Sequence, residues 1–396
     1  MTILEKQKYE PLTVESAAQL VKELKLFKET ACLEVREIGD GNLNYVFKIT
    51  DAEKGRGVII KQALPYAKVV GESWPLTLKR STIEANALKK HGEYVPHLVP
   101  KVFATDENLA ITIMEDLSHL TIARSGLING EDYPKLSSDI GEYLARTLFS
   151  TSDFALHPFE KKRLAVKFSN PELCKITEDL IFTDPFFDHE TNNYEPELRT
   201  DLEGIWNNKP LKLEVARLKR SFLTEAEALL HGDLHTGSIF ASDTETKVID
   251  PEFAFYGPIG FDVGLFIGNL IFQVIVREGN KREVIKTHIE NTWNVFASVF
   301  SELWDKNNVE PFAEVEGYQK QFLQKVFSDA LGFAGCELIR RTVGLAHVKD
   351  LDGIQDNEKR ITSKRHALAI GTALILQRRE FKSIKEAITL LEEKLR

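Results

Sequence analysis

The chain has 396 residues, 43% of them hydrophobic and 28% charged, the balance of a globular protein with two or three lobes. Its 51 basic and 60 acidic side chains leave a net charge of −9, which excludes a nucleic-acid binder relying on a basic footprint. No apolar run reaches the roughly eighteen residues a membrane span needs. Met1 to Glu10 is polar and alternates in charge, so no signal peptide is expected. Cys32, Cys174 and Cys336 are widely separated and lack metal spacing, as expected of reduced thiols in a cytoplasmic protein.

Helical spacing runs from Val14 to Phe27 behind Thr13, a plausible N-cap. Strand-type runs follow at Leu33 to Ile38, Val46 to Ile49 and Val58 to Ile60. A helix is predicted over Ser81 to His91, then strands over Val99 to Thr105 and Leu109 to Met114. Beyond Ser118 helical periodicity dominates: Leu136–Phe149, Pro171–Phe182, Glu195–Lys209, Leu211–Leu230, Val263–Val276, Arg282–Trp304, Phe312–Val348 in pieces, Lys364–Arg378 and Ser383–Leu395. Only His231 to Asp250 looks β-like in this half. The pattern predicts an α+β fold with a β-rich lobe over 1–117, a hinge at about 115–118 and a helical lobe over 118–396. A nucleotide cleft between lobes is the expectation for such an arrangement.

The chemistry concentrates in a few segments. Leu230-His231-Gly232-Asp233-Leu234-His235 places one carboxylate on a tight loop, and Ile249-Asp250-Pro251-Glu252 supplies two more downstream. Phosphoryl transfer needs that division: one acid for the attacking hydroxyl, others for the metal that neutralises the nucleotide phosphates. Asp233 is therefore the candidate catalytic base. Asp250 and Glu252 are candidate Mg²⁺ ligands, expected on one side of an extended strand that Pro251 terminates.

Gly39-Asp40-Gly41-Asn42-Leu43-Asn44 joins two strands rather than a strand and a helix, which excludes dinucleotide and Walker loops. Such a hairpin suits ATP phosphates, with Asn44 where a third glycine would stand. Lys61 is expected on the α/β-phosphates, with Glu84 as its first-choice partner by chain order and Glu72, in a Gly/Pro-punctuated loop, as the second. Glu115-Asp116-Leu117 resembles a hinge offering backbone groups to adenine. Asp262 is expected to cap the helix that follows it. Of Arg340 and Arg341, Glu337 is expected to pair with Arg341 on the helix surface, leaving Arg340 for substrate.

Together, H-G-D-L-H-T-G-S from His231, D-P-E-F-A-F-Y-G-P-I-G-F-D from Asp250, G-D-G-N-L-N-Y-V-F from Gly39 and the tandem arginine resemble the aminoglycoside phosphotransferase and choline kinase superfamily. Within it the resemblance is to the 5-methylthioribose kinase family. It implies a bilobal protein-kinase-like fold and ATP-dependent phosphorylation of methylthioribose at its anomeric C1 hydroxyl, in methionine salvage. It also implies Asn44 and Lys61 on ATP, Asp250 and Glu252 on the metal–nucleotide, and Asp233, Arg340 and Arg341 on the sugar. The loop around Gly71 to Trp74 is implied to close over the site, and a homodimer is implied as well. Ser238 stands where kinases place the asparagine for a second magnesium, which predicts a weaker second metal. Another small hydroxylated acceptor (aminoglycoside, choline, homoserine, another sugar) and a nucleotide-binding pseudokinase are the alternatives.

Overall fold

The computed structural model describes residues 9–38, 44–67 and 71–396, and leaves the side chains of 67 and 71–75 undescribed. The calls on Gly39, Asp40 and Gly41, and on the Glu72 and Trp74 side chains, fall outside the described residues. The chain divides into two compact units, 1–120 with 247–254, and 121–246 with 255–396.

The first unit opens with helix α1 (Val14–Glu23), where Thr13 and Ser16 cap each other reciprocally. Its strands are β1 (Leu33–Glu37), β2 (Asn44–Asp51), β3 (Gly57–Ala63), β4 (Tyr66–Ala67), β5 (Gly71–Pro75), β6 (Val102–Asp106) and β7 (Ile111–Glu115); helix α2 (Lys79–Tyr94) lies between β5 and β6. The main sheet is antiparallel in the order β1-β2-β3-β7-β6. Alternation in β3 sends Val58 and Ile60 into a core with Val21, Phe47, Ile49 and Ile113. It therefore turns Ile59 and Lys61 to the opposite face. The segment 247–254 joins this unit, with Val248 N–H donating to Leu98 O at 2.7 Å.

The second unit contains β8 (Thr121–Ile122), α3 (Ala123–Ile128), α4 (Leu136–Ser150), α5 (Pro158–Lys167), α6 (Pro171–Phe182), α7 (Arg199–Trp206), α8 (Lys209–Thr224), β9 (Ala228–Leu229) and β10 (Ile239–Ala241). After β11 (Thr246–Val248) and β12 (Tyr256–Gly257) come α9 (Gly260–Val276), α10 (Gly279–Asn307), α11 (Tyr318–Val343), α12 (Lys349–Asp352), α13 (Asn357–Gln377) and α14 (Ile384–Lys394). The run predicted as one helix over Leu211 to Leu230 ends at Thr224, and Ala228–Leu229 instead pairs with Tyr256–Gly257. Helix α5 escaped the periodicity because it buries no residue and so has no apolar stripe. Helix α9 is buried on every side through Ile275. An all-round apolar helix belongs in a core, so its polar residues Asp262 and Asn269 mark the site. Among the described residues no helix is long and apolar enough to cross a membrane.

Candidate active site

The residues singled out from the sequence fall into two groups of charged side chains, one in each unit. In the first, Lys61 Nζ donates to Glu84 Oε1 at 2.9 Å and also to Asp250 Oδ1. Burial alone would lower the lysine's pKa, but Asp250, Glu84 and Glu252 together carry it above its ordinary value. It is a fixed cation. Burial pushes the Glu84 carboxyl up, against the pull of Lys61. Arg80, from the first turn of α2, is completely buried. Its Nη1 donates to Glu252 Oε2 at 2.6 Å and to Asn44 Oδ1 at 2.7 Å, and its Nη2 donates to Leu64 O at 3.0 Å. One guanidinium thus ties the start of β2, the end of β3 and the Asp-Pro-Glu segment together.

Asp250 and Glu252 do not sit on a strand, contrary to the alternation argument. β11 stops at Val248, and Asp250 adopts the left-handed conformation at φ +70°. That conformation is uncommon for an aspartate and bends the chain out of extension. Glu84, Asp250 and Glu252 nonetheless each bring a carboxylate oxygen within 4.8 Å of the others. Three hard oxygens, with the cations of Lys61 and Arg80 beside them, are a donor set that fits Mg²⁺. At the hinge, Glu115 N–H donates to Lys101 O at 2.9 Å, and Leu117 O accepts from Leu120 N–H at 2.9 Å. Asp116 pairs with Lys48 at 3.2 Å and accepts from Ser118 N–H at 2.9 Å, so its carboxylate shapes the turn.

The second cluster surrounds Asp233. The loop before it is fixed by Asp262, which accepts from His231 N–H at 2.6 Å and Gly232 N–H at 3.0 Å. Asp262 is not the N-cap expected from sequence. α9 begins two residues earlier, at Gly260, and the carboxylate serves another loop instead of its own helix. Gly232 sits at φ +85°, which glycine adopts without penalty. Ser238 Oγ accepts from His235 N–H at 3.0 Å and donates toward the carbonyls of His235 and Asp233.

Arg340 Nη2 and Arg341 Nη2 lie 3.4 and 3.5 Å from Asp233 Oδ1, and His235 Nε2 lies 3.5 Å from Oδ2. Burial would raise the Asp233 pKa, yet His235 and the two arginines hold it well below the usual carboxylate range. Burial, with help from Arg124, lowers the His235 pKa against the pull of Asp233. The assignment of Glu337 to Arg341 alone on the helix surface does not hold. Glu337 is fully buried and accepts from Arg340 Nε at 2.5 Å and Arg341 Nε at 3.0 Å. Both arginines therefore reach Asp233 from the same carboxylate. Asn269 Nδ2 donates to Glu337 Oε1 at 3.0 Å, and Arg124 Nη2 donates to Asn269 Oδ1 at 2.8 Å.

Sequence reasoning missed Arg80, Arg124, His235 and Asn269 as members of these clusters. Asn269 was the findable one, a polar residue in the middle of an otherwise apolar helix.

An acidic cluster built around a fixed lysine, and an ionised aspartate on a tight loop flanked by two arginines, are the parts of a phosphotransferase. The model of the Phosphotransferase enzyme family matches residues 34–283. A methylthioribose kinase of Geobacillus sp. (strain WCH70) is 61% identical over 97% of this chain and 96% of its own. That of Geobacillus thermodenitrificans is 60% identical over 99% of both chains, and that of Bacillus cereus (strain ATCC 14579) is 55% identical over 97% of this chain and 98% of its own. The chain belongs to the Phosphotransferase enzyme family and, within it, to the family of the methylthioribose kinases.

Proposed function

We propose that this enzyme transfers the γ-phosphoryl group of ATP to the anomeric C1 hydroxyl of 5-methylthioribose, giving the 1-phosphate and ADP in methionine salvage. The observation that carries the acceptor is the pairing of Asp233 with Arg340 and Arg341. An acceptor pocket furnished with two guanidinium groups suits a neutral polyhydroxy sugar and repels the cationic acceptors choline and kanamycin.

Lys61 holds the α/β-phosphates as a point charge, and the Glu115 carbonyl with the Leu117 N–H are the groups offered to adenine. Asn44, with Gly39, Asp40 and Gly41 before it in the sequence, is assigned to the phosphates. Asp250 and Glu252, on either side of Pro251, would hold Mg²⁺, which offsets negative charge on the phosphates when bound. Arg80 fixes the Glu252 carboxylate. Asp233 orients the C1 hydroxyl; its low pKa makes it a weak base, so proton transfer follows rather than leads bond formation. The anomeric hydroxyl is more acidic than an ordinary alcohol, which lessens what is asked of that base. Arg340 and Arg341 hold the neighbouring hydroxyls, and Trp74 belongs to a segment that closes over the sugar. Residues 1–117 act as the nucleotide lobe and 118–396 as the acceptor lobe. A cytoplasmic homodimer is part of the same proposal, on the strength of the family resemblance.

The test is ADP release with Mg-ATP and a panel of methylthioribose, ribose, choline, homoserine and kanamycin, with NMR to locate the phosphate. Turnover of methylthioribose with phosphate on C1 is expected. Preferential turnover of any other acceptor, or ATP binding without turnover, would overturn the reading.

A further inference from the structure

Two adjacent residues on a helix point about 100° apart, so Arg340 and Arg341 have no intrinsic reason to converge. They are also like charges, both buried. Their convergence on Asp233 Oδ1 needs an agent. Glu337 is placed three residues before one and four before the other, on the same helix face as both. Its two oxygens are divided: Oε2 accepts from Arg340 Nε, and Oε1 from Arg341 Nε and Asn269 Nδ2. Bonding each guanidinium at Nε leaves the Nη atoms as the ends that reach Asp233.

The room for this carboxylate comes from α9. A Cβ built on Gly268 would lie 3.2 Å from Cβ and Cγ of Glu337, and as near to the Ala334 carbonyl oxygen of the same helix. Glycine at that position lets the helix bearing Asn269 approach until Asn269 reaches Glu337. On its other side Asn269 takes Arg124 Nη2. We propose that Glu337 is a positioning residue for acceptor recognition, which sets the aim of the Arg340–Arg341 pair, and that Gly268 reserves the space it occupies. The proposal rests on the reading that these arginines hold the acceptor.

The experiment uses the full chain with Glu337→Gln, Gly268→Ala, Arg341→Lys and the double variant Glu337→Gln/Arg341→Lys. KM for acceptor and for ATP, kcat and Tm are measured for each. Glu337→Gln is expected to raise acceptor KM at least tenfold while ATP KM stays within twofold. Gly268→Ala keeps every charge yet crowds Glu337 and the Ala334 carbonyl, and is expected to raise acceptor KM severalfold with the same selectivity. If Glu337 acts through the arginines, the double variant costs clearly less than the two single variants summed, because only the aim of Arg340 is left to lose. Should Glu337→Gln fail to fold, Gly268→Ala carries the test. A lowered Tm with unchanged acceptor KM in the folded variants would reduce Glu337 to a structural ion pair and overturn the proposal. Unchanged acceptor KM in Arg341→Lys would overturn the underlying acceptor reading, and this proposal with it. A raised KM there, with Glu337→Gln at wild-type values, would overturn this proposal alone.

Discussion

The Asp262 carboxylate accepts the backbone N–H of Gly232 at 3.0 Å, thirty residues upstream, and that of His231 beside it at 2.6 Å. A side chain of the buried helix α9 thereby sets the backbone that presents Asp233. Asp262→Ala would leave two buried N–H groups without this acceptor, each costing about 1–3 kcal/mol. The variant should melt several degrees lower and lose at least tenfold in kcat, with ATP affinity nearly unchanged. Differential scanning calorimetry and ATP titration check both halves. A variant of native kcat would show that the loop is held by other means.

Asp233 sits between three positively charged or polar neighbours and stays ionised throughout the physiological range. Asp233→Ala should lower kcat by several orders of magnitude and leave the ATP dissociation constant within about twofold. Rapid-quench measurement of single turnovers separates the chemical step from product release. Turnover retained within about tenfold, roughly 1.4 kcal/mol of barrier, would remove Asp233 from the reaction.

What the sequence discloses depends on whether a residue's role follows from local periodicity. Lys61 and Glu84 are legible because strand alternation and chain order bring a β3 lysine to an α2 glutamate. That Asp250 and Glu252 come together and that Asp233 lies on a tight loop is legible by motif, although the backbone carrying the first two is not. Nothing in the local pattern says that Asp250 leaves extension with a positive φ. Arg80 reads as a solvated residue in a polar helix, and only the tertiary fold makes it completely buried. Glu337 has the spacing of a surface ion pair, and its burial comes from packing against α9. Long-range enclosure, which periodicity does not encode, accounts for each of these misses.

Arg80→Met tests that enclosure. Removing the guanidinium leaves the buried Glu252 without its 2.6 Å partner, and breaking a buried pair costs roughly 3–5 kcal/mol. The chemical-denaturation midpoint should fall accordingly, and KM for Mg-ATP should rise because Glu252 is no longer held. An Arg80→Met/Glu252→Gln double variant should recover part of the stability without recovering ATP affinity. Recovery of both would mean that Glu252 has no part in holding the metal–nucleotide.

The Ser238 hydroxyl is engaged within its own loop, accepting from His235 N–H and donating to backbone carbonyls. A hydroxyl is in any case a poorer ligand than the amide oxygen other kinases use. Magnesium titration of the ATP complex should therefore show one tight site and a second at least tenfold weaker. Two equally tight sites would contradict this. Chelation should abolish turnover and leave the fold intact, as measured by circular dichroism.

Glu337 also predicts a pH dependence. Burial would raise its pKa, but Arg340 and Arg341 prevail and bring it down from 4.5 to about 2. A carboxylate whose folded pKa is depressed binds fewer protons in the folded state than in the unfolded one. Its stabilising contribution is thus fully present above pH 4.5 and is lost as pH falls toward 2. The slope for one such group is at most about 1.4 kcal/mol per pH unit. Other carboxylates titrate in the same window, so the wild type is compared with Glu337→Gln by urea denaturation from pH 6 to pH 3. The stability advantage of the wild type should be constant above pH 5 and narrow by roughly 1–2 kcal/mol at pH 3. A gap that stays constant to pH 3 would mean that Glu337 is not held ionised by the two arginines.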